Sequence, residues 1–341
     1  MGVQTAGYYT RMQSIDIMMQ MRASAPLDRN PMTAAARRAT LIANPVSGGG
    51  SRRRVHQLEQ AKQILHDAGY DAELAFTAAP GGATALARRA VEEGHDLVLV
   101  AGGDGTFNEA VNGLAGSQVP LALLPAGTAN VMGQELGLPT NIPEAVRMAL
   151  RGTPRRIALG QAIPARGEPR YFLALGGAGP DGALVNGVNL KLKLKVGILA
   201  YWWEGLRQLF LYKFPRLRIV SGERTEEASL VIVGRTKHYG GAFRITTGAD
   251  LREDRFELFT FQAAGWFGYL AAFPSLLLNT LRNRKDVRYW TADRVRCEPA
   301  DGQRVLAQID GEPFGELPME FRIVPGALTL VFPETAGAPR A

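Results

Sequence analysis

The chain has 341 residues, 46% of them hydrophobic, and a formal net charge of +7. That length suits two domains with a core each, and the basic balance suits nucleic acid, anionic membrane or phosphorylated ligands without choosing among them. One cysteine, Cys297, excludes an internal disulfide framework and a cysteine-built zinc site, and four histidines (His56, His66, His95, His238) show no metal-ligand spacing.

Residues 1–37 stand apart from the rest. The Met- and Gln-rich stretch 12–21 lacks the basic start and continuous apolar core of a signal peptide. This extension is expected to be disordered, with a membrane-surface helix or a true start at Met32 as alternatives. From residue 39 the pattern becomes regular. An apolar run at 39–44 leads into Asn44-Pro-Val-Ser47-Gly48-Gly-Gly50-Ser and three arginines, and then Val55, Leu58, Ala61 and Leu65 follow at helical spacing. Strand, glycine loop and helix is an arrangement that cradles phosphate, although no Gly-Lys-Ser/Thr closes the loop as in a Walker A motif. A second strand at 71–76 ends at Thr77, a helix covers 82–93, and a third strand at 96–101 enters Gly102-Gly103-Asp104-Gly105-Thr106.

That turn points backbone N–H groups at an anion, with a helix dipole behind them. Asp104 sets a carboxylate where it would repel a phosphate. The conflict is relieved if a divalent cation bridges the two, or if the carboxylate takes a proton from an incoming hydroxyl, and either way the chemistry is phosphoryl transfer. A strand at 119–124 then runs into Pro125-Ala-Gly127-Thr128-Ala-Asn130 and a further helix. The alternation predicts an α/β domain with a parallel sheet and the glycine loops at the C-terminal ends of its strands.

Near residue 153 the texture changes. Segments 155–162, 170–175, 217–220, 228–233, 255–261, 304–309, 319–323 and 327–332 are short, alternating and bounded by turn residues, which predicts a mostly antiparallel β-sandwich. The expected limits are 38–152 for the α/β domain, 153–333 for the β-rich domain and 334–341 for a tail. Helical patterns interrupt at 194–212 and 266–281. Apolar helices with basic ends suit an anionic membrane surface, with ordinary core helices as the alternative, and the scattered basic residues do not suit nucleic acid. Asp310 and Glu312, two apart, share a face if extended and then serve a metal or a hydroxyl together; Asp310-Gly311 is also a strong hairpin-turn signal.

Together, Asn44-Pro-x-Ser-Gly-x-Gly, Gly102-Gly-Asp-Gly-Thr-x-Asn-Glu-x-x-Asn-Gly113, Leu124-Pro-Ala-Gly-Thr-Ala-Asn130, Leu175-Gly-Gly-Ala-Gly-Pro-Asp181 and Asp310-Gly-Glu312 resemble the diacylglycerol kinase catalytic-domain family. Its soluble bacterial lipid kinases and the sphingosine kinases share this pattern. The likeness runs from about residue 39 to 332. It implies a two-domain kinase with ATP and Mg²⁺ in an interdomain cleft and a lipid alcohol as acceptor. Carried over by motif, nucleotide binding falls to Asn44, Ser47, Gly48, Gly50, Thr77, Gly102, Gly103, Gly105, Thr106, Gly127, Thr128, Asn130 and Lys195, with Asn44 ordering its loop. Metal binding falls to Asp104, Asp310 and Asp181. The catalytic set is Asp104, Glu312 and Asp310, with Glu312 preferred as general base and Asp104 as organiser of metal and phosphate; the reverse stays open. Asp181, Tyr201 and Trp202 face the lipid.

One departure is Pro180, in a loop where the family carries bulkier residues, which bears on acceptor choice. The implied activity is transfer of the γ-phosphoryl group of ATP to a diacylglycerol-like acceptor, or to phosphatidylglycerol or a sphingoid base. The implied setting is cytoplasmic and peripheral to an anionic membrane, without nucleic acid and with a homodimer left open. Two alternatives remain: an NAD-kinase-like enzyme of a soluble metabolite, and a non-catalytic lipid-binding protein on the same scaffold.

Overall fold

In the computed structural model the described residues are 37–47, 52–187, 211–241, 243–263 and 265–334. The expectations for the N-terminal extension, for Gly48, Gly50, Lys195, Tyr201 and Trp202, and for most of the 194–212 helix lie outside them.

Strands β1 (Arg37–Ala43), β2 (Tyr70–Phe76), β3 (Leu97–Gly102) and β4 (Leu121–Pro125) pair in parallel in the order β2-β1-β3-β4. Every residue of β3 is buried, as a central parallel strand covered on both faces requires. On one face, Leu97, Leu99 and Ala101 meet α1 (Arg52–Asp67) and α5 (Ile142–Arg151). On the other, Val98 and Val100 meet α2 (Gly82–Glu92) and α3 (Asp104–Leu114). α1 buries Val55, Leu58, Ala61 and Leu65, the residues whose spacing announced it. α2 and α3 cross so closely that a Cβ on Gly113 would stand 2.5 Å from the Thr84 carbonyl oxygen. The short α4 (Val131–Glu135) follows β4.

The second half forms the expected sandwich. One leaf is a fully antiparallel six-stranded sheet, in the order β14 (Val287–Ala292), β13 (Phe256–Phe261), β10 (Leu230–Gly234), β7 (Leu175–Ala178), β16 (Leu306–Ile309), β17 (Glu312–Glu316). The other leaf continues the N-terminal sheet: β5 (Thr153–Pro164), β6 (Arg170–Phe172), β8 (Leu217–Ser221), β9 (Arg224–Ala228), β15 (Arg294–Pro299) and β18 (Met319–Phe332). Between the leaves pack Phe172, Ile219, Val233, Phe256, Cys297 and Phe321, among others.

β18 joins the two halves. Its first part pairs with β15 and with the end of β5; after an irregularity between Val324 and Leu328, its last residues run against the start of β5 on one side and touch β4 in parallel at Leu330–Leu121 on the other. The segments 319–323 and 327–332 are therefore one strand, not two. The run 170–175 is instead two strands, because the N–H groups of Leu173, Ala174 and Leu175 turn away to Asp310. At the junction, the fully buried Arg235 donates to the carbonyls of Ala158, Leu251 and Glu253, and burial pushes its pKa down to about 10. The remaining elements are α6 (Pro180–Gly187), β11 (His238–Tyr239), β12 (Phe243–Arg244) and α7 (Gly265–Leu277).

Candidate active site

β3 ends in the glycine turn and α3 starts at once, with Gly103 as a cap residue that has no side chain to bond the first-turn N–H groups. An uncapped helix start of this kind is an anion site. The loop after β4 closes on it: a Cβ on Gly127 would lie 2.5 Å from the Gly103 Cα, so the two backbones touch and only glycine fits. Asn130, at φ 48°, folds this second loop on itself. Its Oδ1 accepts from the Gly127 N–H at 2.8 Å and its Nδ2 donates to the Gly127 carbonyl at 3.0 Å. The Gly127 N–H is thus spent internally rather than held out to phosphate, while Thr128 stands exposed at the tip.

Asn44 holds its own loop and the start of α3. Its Oδ1 accepts from the Val46 N–H at 3.1 Å, and its Nδ2 donates to Thr106 Oγ1 at 3.0 Å, tying the first loop to α3. The Ser47 N–H donates to the Asn44 carbonyl at 3.2 Å. Thr77 is buried where β2 ends, its N–H donating to the Ala43 carbonyl at 3.0 Å.

Asp104 finds another answer to the conflict read in the sequence. Its carboxylate accepts from the N–H groups of Val131 at 3.1 Å and Met132 at 3.2 Å, the first residues of α4. The start of that short helix offsets the charge of the carboxylate within the glycine turn.

The rest of the long motif divides by helix face. Glu109 accepts the Ala83 N–H at 3.0 Å and caps α2. Asn108 and Asn112, one turn apart, face the second domain. Asn112 exchanges hydrogen bonds with the backbone of Tyr171 at 2.9 and 3.0 Å. Asn108 Nδ2 donates to Tyr171 O at 3.0 Å and to Asp310 Oδ2 at 2.8 Å, and its Oδ1 accepts from Arg170 at 2.5 Å.

Asp310 and Glu312 do not share a face. Asp310-Gly311 is the two-residue turn of the β16–β17 hairpin, with φ 48° and 76° and with Ile309 opposite Glu312. The Asp310 carboxylate is enclosed and accepts four N–H donors: Asn108 Nδ2 and the backbones of Leu173, Ala174 and Leu175, at 2.8 to 3.0 Å. Burial raises its pKa against the pull of those donors. The expectation of a metal or a hydroxyl at Asp310 is therefore corrected: its acceptor positions are filled, and it joins the two domains. Glu312 goes the other way. Its Oε2 accepts from Arg170 at 2.6 Å, and its Oε1 lies 2.6 Å from where a Gly105 Cβ would stand, over the open start of α3.

Asp181 lies in a different place, on α6 against β7. Its carboxylate accepts from the Tyr239 hydroxyl and, at 2.7 Å, from Gln308 Nε2; Gln308 Oε1 in turn accepts the Gly311 N–H at 2.8 Å. A hydrogen-bonded chain thus leads from Asp181 to the residue before Glu312. Beside Asp181 opens a cavity of about 200 Å³ whose wall is mostly apolar, with Leu184, Phe214, Leu230, Ile232 and Leu276 among its lining and the departing Pro180 at its edge.

Burial pushes the Asp181 pKa up to about 6, opposed by its two donors. Its folded state then binds a proton more tightly than its unfolded state. Its stability contribution is highest below about pH 4, falls as pH rises to 6, and stays low above, a loss on the order of 3 kcal/mol. Asp181→Asn should lack this fall. Urea midpoints of both proteins from pH 4 to 8 check it: the gap between variant and wild type should change between pH 4 and 6 and then level, and a constant gap would return Asp181 to ordinary titration.

Among the described residues, no three His, Cys, Asp or Glu side chains come together as a metal cage. Residues 38–162 match the diacylglycerol kinase catalytic domain, and residues 177–332 match the YegS C-terminal NAD kinase beta sandwich-like domain. A diacylglycerol kinase of Bacillus subtilis (strain 168) is 31% identical over 290 residues, 84% of this chain and 93% of that one. The chain belongs to the diacylglycerol kinase catalytic-domain family. A diacylglycerol kinase of Mycobacterium tuberculosis (strain CDC 1551 / Oshkosh) is 30% identical, over 87% of this chain and 95% of its own. The fold is shared with a solved protein of Bacillus anthracis str. Sterne at TM-score 0.73 and 23% identity, covering 91% of this chain and 100% of that one.

Three residues of this kinase-family site escaped sequence reasoning. Arg170 opens one of the predicted strands and carries no motif. Gln308 sits in an apolar strand, where a buried amide was the available signal. Arg54 was one of three arginines without an assigned role; its Nη2 donates to the Ala126 carbonyl at 3.3 Å, while its enclosed Nη1 has no partner.

Proposed function

We propose that the chain transfers the γ-phosphoryl group of ATP to the hydroxyl of a diacylglycerol-like lipid, with Mg²⁺ as cofactor. The observation that carries this reading is Glu312 of the second domain held by Arg170 over the uncapped start of α3. One side of the cleft offers backbone N–H groups to phosphate oxygens, and the other offers a carboxylate. Phosphate settles on the first turn of α3 and beside Arg54. The acceptor enters through the apolar cavity, where Asp181 with its two donors orients its polar end. Glu312 receives the acceptor's hydroxyl proton as the oxygen attacks.

The donor set suits Mg²⁺ that arrives with the nucleotide, since that ion keeps waters and phosphate ligands and takes one or two carboxylates at most. Bound there, it would supply positive charge to the transferring group, with Asp104 as the carboxylate at hand to hold it.

Incubation with labelled ATP and mixed micelles holding diacylglycerol, phosphatidylglycerol or a sphingoid base tests the reading. Label in diacylglycerol, abolished by a chelator of divalent cations, is the expected result. Phosphorylation of NAD without any lipid product would move the protein to soluble-metabolite kinases, ATP binding without transfer to any lipid would overturn the reading, and lipid binding without ATP binding would make it a non-catalytic lipid-binding protein.

A further inference from the structure

Gln308 is buried in the otherwise apolar strand β16, and both ends of its amide are bonded. Its Oε1 accepts the Gly311 N–H at 2.8 Å, so its NH₂ group faces the other way, onto Asp181 Oδ2 at 2.7 Å. Chemistry fixes that orientation, because a backbone N–H only donates and Oε1 is the one acceptor on the side chain. In a two-residue hairpin turn the N–H of the second turn residue has no partner in the strand ladder. Gln308 supplies that partner. The turn is thereby held twice, the Asp310 carboxylate by Asn108 and Leu173–Leu175 and the Gly311 N–H by Gln308. Glu312 is the next residue.

Two glycines bring Asp181 to this amide. Gly177 on β7 stands opposite Gln308 on β16, and paired residues project to the same face of a sheet. Asp181 Oδ2 fills the space that a Gly177 Cβ would take. A Cβ on Gly182 would in turn collide with the Leu306 carbonyl, so α6 lies directly on β16. An unbroken chain of contacts therefore runs from the cavity wall at Asp181, through Gln308 and Gly311, to the peptide that carries Glu312.

We infer that Gln308 is a positioning residue for phosphoryl transfer, linking the carboxylate that orients the acceptor to the turn that aims Glu312. Gln308 touches no reacting atom and acts through Glu312. An acceptor group that draws on the Asp181 oxygens shifts the amide bonded to one of them, and the amide carries the Gly311 N–H with it. The inference rests on the lipid-kinase reading for the tasks of Asp181 and Glu312.

Steady-state kinetics of the full chain with ATP and diacylglycerol in micelles test it, with urea midpoints to show which variants are folded. Gln308→Leu frees the Gly311 N–H and should lower kcat by a factor on the order of 10 to 100. ATP binding by calorimetry should stay as in the wild type. In a Glu312→Gln background the same substitution should cost kcat little more, since the group it aims is already gone. Gln308→Glu keeps an oxygen for Gly311 but turns a second carboxyl group onto Asp181, and the pair then holds one proton between them. The other donor to Asp181, the Tyr239 hydroxyl, is unchanged in both variants. As pH rises and the shared proton leaves, kcat of Gln308→Glu should fall relative to the wild type. Wild-type kcat in a folded Gln308→Leu overturns the inference; if that variant does not fold, a Gln308→Glu profile parallel to the wild type's overturns it instead. A loss that multiplies in full with that of Glu312→Gln gives Gln308 to the scaffold and also overturns it. A wild type that phosphorylates no lipid strikes the kinase reading, and the inference with it.

Discussion

Glu312→Gln is expected to lower kcat by a factor of about 10² to 10⁴, the range set by removal of a positioned general base. Glutamine keeps the length of the side chain and an oxygen for Arg170, which now lies 2.6 Å from Glu312. What it loses is the ability to take a proton. Binding of ATP should change little, because the proposed phosphate contacts at the start of α3, at Arg54 and in the loops do not involve Glu312. Steady-state kinetics with lipid in micelles, and nucleotide binding by calorimetry, separate the two. A variant with wild-type kcat would pass the base role to Asp104, although both oxygens of that carboxylate already accept from the start of α4.

Asp310→Asn is the second large effect, and its readout is stability rather than chemistry. The carboxylate presents two oxygens to four donors: Leu173 and Asn108 on Oδ2, Ala174 and Leu175 on Oδ1. An amide keeps one oxygen and turns an NH₂ group toward the other pair. Two buried donors then lose their acceptor, at about 1–3 kcal/mol each, for a loss of roughly 2–6 kcal/mol. The midpoint of denaturant unfolding measures it. A variant within half a kcal/mol of the wild type, by contrast, would return Asp310 to the metal or the substrate.

Much of the scaffold could be read beforehand because its signals are local. The period of α1, the buried run of β3 and the glycine turn into α3 each lie within a dozen residues. The sandwich leaf could be recognised as β-rich, but its strand order could not, since pairing between β18 and β4 joins residues two hundred positions apart. At the site, residue identity was legible and direction was not. Asp104, Asp310 and Glu312 are three carboxylates in glycine-rich turns. What distinguishes them is whether N–H groups from distant segments reach them, and Leu173–Leu175, Val131 and Arg170 bear no sequence mark of doing so. Asn108 and Asn112 stood in the long motif, yet their task became visible only once Tyr171 was opposite them.

The shared strand β18 has a consequence for how the protein is made. The N-terminal half holds its three glycine-rich loops by residue 130, but its sheet keeps an open edge at β4 until residues 328–332 arrive beside it. Leu328, Leu330 and Phe332 also belong to the core formed with α2 and α3. During synthesis from the N-terminus, that half therefore emerges early and closes last, with an unpaired strand edge exposed for as long as the ribosome takes to add some two hundred residues. A chain cut short anywhere before 328 is left with neither half complete. Truncation before residue 328 should therefore leave an unpaired, aggregation-prone strand edge rather than an independently folded half.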